Sequence, residues 1–91
     1  MAETTRYTIS ALAKGLKVLE ALEGTNFEPV TVQRVADRTR EKYDYCYRAL
    51  KTFETRGYAR ETERGWQIGP RILRFSERLG EAAAVKTDSQ I

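Results

Sequence analysis

Three observations in this sequence predict a mainly α domain with a small β-hairpin, in winged helix-turn-helix order. Four stretches repeat their apolar residues at helical spacing, and one stretch, Tyr58 to Ile68, alternates about Glu63-Arg64-Gly65. The alternating stretch falls between the third and fourth helical ones. Ninety-one residues allow one such domain, with a core only marginally large enough to fold alone.

A polar N-terminal arm (residues 1–8) precedes a domain at 9–69. Ser10 is placed to cap a first helix whose stripe is Leu12, Leu16, Leu19 and Leu22, ended by Gly24. Pro29 disfavours helix at the residue before it, so "TNFEPV" reads as a turn or short extended segment. Thr31 can cap a short second helix to about Arg38, which buries Val35 and Ala36 and braces the third helix.

The next stretch, "EKYDYCYRALK", spaces Tyr43, Tyr45 and Tyr47 like one face of a strand. A strand would bury Arg48 between Cys46 and Leu50. A helix over about 43–56 instead groups Cys46, Ala49, Leu50 and Phe53 inward, with Asp44, Arg48, Lys51 and Thr55 opposite. Tyr43 and Tyr47 then share one flank and Tyr45 takes the other. Gly57 supplies the left-handed position that ends it. In the hairpin, Tyr58, Trp66 and Ile68 are the expected inward anchors. Pro70 opens a last helix over 70–84 with Ile72, Phe75, Leu79 and Ala82 or Ala83 on one face, and residues 85–91 read as a flexible tail.

Composition narrows the function. Apolar residues make up 41% and charged ones 32%, which suits a globular chain, and no run approaches a membrane span; a cytoplasmic, nucleoid-associated protein is expected. Cys46 is the one cysteine and histidine is absent. That excludes an internal disulfide, a Cys/His zinc site and a histidine-based catalytic centre, so no enzyme activity, metal or cofactor is expected. Residues 38–60 carry seven basic side chains against three acids, whereas the whole chain nets only +3. Charge concentrated on that segment is the footprint of a polyanion binder.

Taken together, "SALAKGLKVLEAL", "TVQRVADRT", "YRALKTFETRGYARE" and "GWQIGPRIL" resemble the DNA-binding domain of the IclR family of bacterial transcription regulators, over about residues 9–79. The resemblance implies a first helix, a support helix, a recognition helix and wing, and a linker helix, with Lys14 where an arginine is common. Two departures stand out. The turn before the recognition helix holds Arg40 and Glu41 where the family has glycine and then an apolar residue, and Tyr43 is placed to fill the resulting gap. The family also continues into an effector-binding domain, whereas this chain stops at Ile91, so a stand-alone phage or mobile-element regulator without that domain is expected.

Within that frame Arg48 is central on the exposed face, matches the family's recognition-helix arginine, and suits bidentate contact with guanine or a phosphate clamp. The competing use is a surface pair with Asp44. Lys51, Lys42 and Arg40 read as phosphate contacts. Tyr45 is expected to touch DNA, and Tyr47 is balanced between DNA contact and flank packing. Asp44 fits helix N-terminal stabilisation, with acceptance from cytosine N4 as its DNA role. Thr31 and Gln33 open the support helix beside amides suited to a phosphate, although capping explains Thr31 equally well. Arg60 and Arg64 on the wing, and Arg71 after Pro70, complete the expected contacts. Cys46 reads as a buried small hydrophobe.

The reading is a sequence-specific, double-stranded DNA-binding transcription regulator, dimerising through its first and last helices. The alternatives are a winged-helix protein-interaction module that does not read DNA sequence, and an RNA or single-strand binder. The charge placement favours duplex DNA over the former, and the lack of an aromatic sheet face disfavours the latter.

Overall fold

In the computed structural model, residues 7–90 are described, with side chains described through residue 83. The order is α1 (Ser10–Ala21), α2 (Val32–Thr39), α3 (Tyr43–Thr55), β1 (Ala59–Thr62), β2 (Gly65–Ile68) and α4 (Pro70–Gln90). This is the winged helix-turn-helix arrangement expected, with helical bounds close to those read from apolar spacing. The exception is α4, whose backbone stays helical to Gln90, past the expected boundary at residue 84.

One cluster of buried side chains joins the first five elements. Val18 comes from α1 and Leu22 from its C-cap, Val35 and Ala36 from α2, Cys46 and Leu50 from α3, and Ala59 and Trp66 from the hairpin. Trp66, fully enclosed, is the largest of them. Its burial removes roughly 150–250 Å² from water, or about 4–6 kcal/mol of transfer free energy. β2 is held on both edges. It pairs antiparallel with β1, from Ala59↔Ile68 to Thr62↔Gly65, and bridges Val30 on its other side. In that bridge Val30 N–H donates to the Trp66 carbonyl at 2.9 Å, and Trp66 N–H donates back at 2.7 Å. Trp66 is thus fixed to the loop between α1 and α2, which carries the wing against the helical body.

The recognition-type helix follows its expected phase. Cys46 and Leu50 are buried, Ala49 and Phe53 pack on the core, and Asp44, Arg48, Lys51 and Thr55 are exposed. Gly57 takes the left-handed conformation that ends it, at φ 82°.

Several local expectations are corrected. Ser10 is already helical; the cap is Ile9, extended, with no side-chain bond. The α1 leucine stripe is rotated: Gly15, Val18 and Leu22 face inward, Leu19 packs partly, and Leu12 and Leu16 are 58% and 45% exposed. Phe53 and Tyr45 pack over Gly15, where a Cβ would stand in ordinary contact, 3.6 Å from the Phe53 ring and 3.7 Å from the Tyr45 hydroxyl. Tyr58 is not an inward anchor. The Ala59↔Ile68 register puts Ala59 on the core face and Tyr58 on the opposite one, where its ring meets Phe75 at 5.9 Å. The α4 stripe is mostly uncovered, with Ile72 half-buried and Phe75 and Leu79 exposed.

Candidate nucleic-acid interface

The α2–α3 turn sets how α3 is presented. Thr31 caps α2, accepting from Arg34 N–H at 3.2 Å, and Gln33 donates to Asp37 at 3.0 Å. Both are therefore engaged within α2. At its other end Arg40 holds φ 62°, ψ 26°, and its N–H donates to the Ala36 carbonyl at 2.8 Å. A left-handed conformation in a residue other than glycine costs about 1–2 kcal/mol, so the chain keeps arginine here against local preference.

The gap expected in this turn is closed differently from the Tyr43 expectation. Tyr43 is half exposed. Buried Thr39 fills the turn instead: its hydroxyl donates to the Val35 carbonyl at 2.8 Å and accepts from Glu41 N–H at 3.3 Å. The Cys46 thiol lies 3.7 Å from the same hydroxyl, behind the turn. Glu41, the departure from the apolar residue that the resemblance implies at this position, has its side chain only 17% exposed and pairs with Lys17 of α1 at 2.9 Å. Lys17's hydrogen bond and charge, with more distant help from Lys14, hold the Glu41 carboxyl below its ordinary range against opposing desolvation. The sequence reading missed this pair, because nothing local to Glu41 announces a lysine 24 positions earlier.

Beyond the turn, α3 opens with exposed Lys42 at its cap, without a side-chain cap bond, and Asp44 in its first turn, where negative charge favours the helix. Arg48 is exposed and makes no ion pair; among the described residues the pairs are Lys17–Glu41 and Lys51–Glu54. The Asp44–Arg48 pairing is therefore not formed. Arg48 borders a groove of about 280 Å³ between α1 and α3, together with Leu12, Gly15 and Phe53. Lys51 bonds Glu54 at 3.2 Å, and that bond and charge raise its pKa further above neutrality. Its ammonium stands 6.0 Å from the Tyr47 ring centroid and 5.9 Å from that of Trp66, at the outer limit of cation–π attraction.

The tyrosines divide. Tyr47 stays exposed on the α3 flank. Tyr45 departs from its expected contact role: its hydroxyl donates to the Ala11 carbonyl at 3.1 Å and its ring packs on the core, tying α3 to α1. On the hairpin, Arg60 donates to Gln67 at 3.4 Å and exposed Arg64 sits in the turn between strands. Glu61 and Glu63 alternate with them, so the wing holds no net positive charge at its tip. Arg71 is at the start of α4, stacked on Phe75 at 4.7 Å.

The structure thus gathers Arg40, Lys42, Arg48, Lys51 and Tyr47 along one exposed helix and its leading turn. It leaves Thr31 and Gln33 on α2, Arg60 and Arg64 on the wing and Arg71 at the far end of α3, and it withdraws Tyr45. Among the described residues no three His, Cys, Asp or Glu side chains gather where a metal could sit, and no helix is long and apolar enough to cross a membrane.

No protein-family model matches the chain. It is 40% identical over 68 residues to the p-hydroxybenzoate hydroxylase transcriptional activator of Acinetobacter baylyi, a match covering 75% of this chain and 25% of the relative. The chain therefore spans about a quarter of that relative's length. Among solved structures, an IclR family transcriptional regulator from Brucella abortus superposes with a TM-score of 0.70 at 27% identity, over 84% of this chain and 30% of that one. An IclR transcriptional regulator from Alicyclobacillus acidocaldarius gives 0.72 at 23% identity, over 80% and 30%. By these superpositions the chain has the winged helix-turn-helix fold of the DNA-binding domains of IclR-type transcriptional regulators.

Proposed function

We propose that the chain is a sequence-specific, double-stranded DNA-binding transcription regulator that lays α3 in the major groove, roughly 12 Å wide, with the wing over adjacent backbone. The observation that carries this reading is the unpaired Arg48 at the centre of an exposed, net basic helix face that is braced from behind by Thr39, Cys46 and Tyr45. An exposed guanidinium without a carboxylate partner is suited to guanine O6/N7 or to a phosphate. Lys42, Lys51 and Arg40 set register on phosphates, and Tyr47 packs beside them. The relatives' description as transcriptional regulators supports the same reading.

The regulator acts as a homodimer. One small winged helix buries only about 600–1,000 Å² on DNA, and a two-fold pair doubles that. Leu12 and Leu16 on α1, and Leu79 on α4 at 69% exposure, are apolar surface that this fold leaves uncovered.

Selection of bound duplexes from a random pool, run beside Arg48→Ala, tests both parts. Inverted half-sites about one helical turn apart are expected, relaxed in the variant with an affinity loss worth about 1–3 kcal/mol. A single half-site would keep DNA reading and remove the dimer. Failure of the wild-type chain to enrich any sequence would overturn the proposal and point to a protein partner.

A further inference from the structure

α4 carries a feature that recognition by α3 does not use. Arg71, Arg74 and Arg78 recur at three and then four residues, which places them along one face of the helix. All three are exposed and none makes an ion pair among the described residues. Ile72, which α4 turns toward the body, lies on a different face.

The position of this ridge is set by the end of α3. Arg71 N–H donates to the Gly57 carbonyl at 2.9 Å, and a Cβ on Gly57 would lie 3.4 Å from that of Arg71. The ridge therefore starts where α3 stops, beside exposed Arg56. Arg71 is held on Phe75, and Phe75 in turn on Tyr58, so the first guanidinium has a fixed aromatic support. Local helix stability does not explain the charge at Arg71. The first turn of α4 holds no acid, and positive side chains there oppose the helix dipole.

We infer that Arg71, Arg74 and Arg78 form a second, sequence-independent phosphate-binding ridge that carries the DNA footprint past the end of the recognition helix. This rests on the DNA-binding reading above. Seven residues of helix span about 10 Å, close to three phosphate steps of one strand at ~3.4 Å each along the axis. Guanidinium forks suit that row of oxygens better than point charges would.

The test is fluorescence anisotropy of a labelled mixed-sequence duplex, titrated at a series of salt concentrations. For Arg74→Gln/Arg78→Gln the slope of log affinity against log salt is expected to shallow by about 1.8, at ~0.9 for each phosphate no longer neutralised. The Arg74→Lys/Arg78→Lys chain keeps the wild-type slope, and circular dichroism checks that each exposed variant stays folded. A wild-type chain that binds, with an unchanged slope in the glutamine variant, overturns the ridge alone. A wild-type chain that binds no duplex even at low salt overturns the ridge and the DNA reading together.

Discussion

The α2–α3 turn and the β1–β2 wing both reverse the chain within a few residues, and both need a backbone with positive φ. The wing meets that need with Gly65 at φ 136°, whereas the turn uses Arg40 at φ 62°. The difference lies in the surroundings of each residue. A Cβ on Gly65 would stand 2.5 Å from the Val30 carbonyl oxygen, inside the bridge that fixes Trp66. Arg40 projects into solvent, so its conformation carries an intrinsic strain but no collision. A close approach forbids a side chain outright; a left-handed φ only penalises it. The turn can thus keep a cation beside α3, and strain of this kind persists where the surrounding structure over-determines it.

Gly65→Ala is the sharpest way to break the comparison. It should lower stability by about 2–4 kcal/mol, read as a lower midpoint in chemical denaturation; a loss below about 0.5 kcal/mol would mean that the Val30 bridge yields easily. Arg40→Gly should act in the opposite direction. Relief of the left-handed strain, less the added freedom of the unfolded chain, leaves a gain of about 0.5–1 kcal/mol, together with weaker DNA binding if Arg40 meets phosphate. A variant that gained stability and lost no affinity would leave the cation at this turn without a function.

The smallest effect concerns pH. The Glu41 carboxyl is held below its ordinary value near 4.5 by Lys17. The folded chain therefore binds that proton less readily than the unfolded chain does. Its contribution is complete above the ordinary value and disappears as pH falls through the lowered one. Glu41→Gln should flatten this acid-side decline in thermal melting while leaving the slope near neutrality unchanged. An acid limb identical to wild type would mean that the Lys17 pair contributes nothing in solution.

Much of this molecule was legible in its residues. The α3 phase followed from Cys46, Ala49, Leu50 and Phe53, because a strand would have buried Arg48. The hairpin followed from alternation about Glu63-Arg64-Gly65, and the stop at Gly57 from its freedom at positive φ. The exposed face of α3 followed with them, since periodicity identifies the side opposite a core stripe. Yet α1 contains two apolar stripes that both satisfy helical spacing, and spacing cannot say which one meets the core. The packing of Tyr45 and Phe53 over the Gly15 side of α1 decided it, with Val18 and Leu22 in the core and Leu12 and Leu16 outside.

The same distinction accounts for the site. Sequence alone determined the order of elements, the basic segment and the recognition-type helix, because those depend on neighbours within a few turns. Only the tertiary structure decided that Tyr45 ties α3 to α1, that Thr39 rather than Tyr43 fills the turn, and that Lys17 pairs with Glu41. Each of these is set by an interaction, within the turn or between helices, that apolar spacing does not encode.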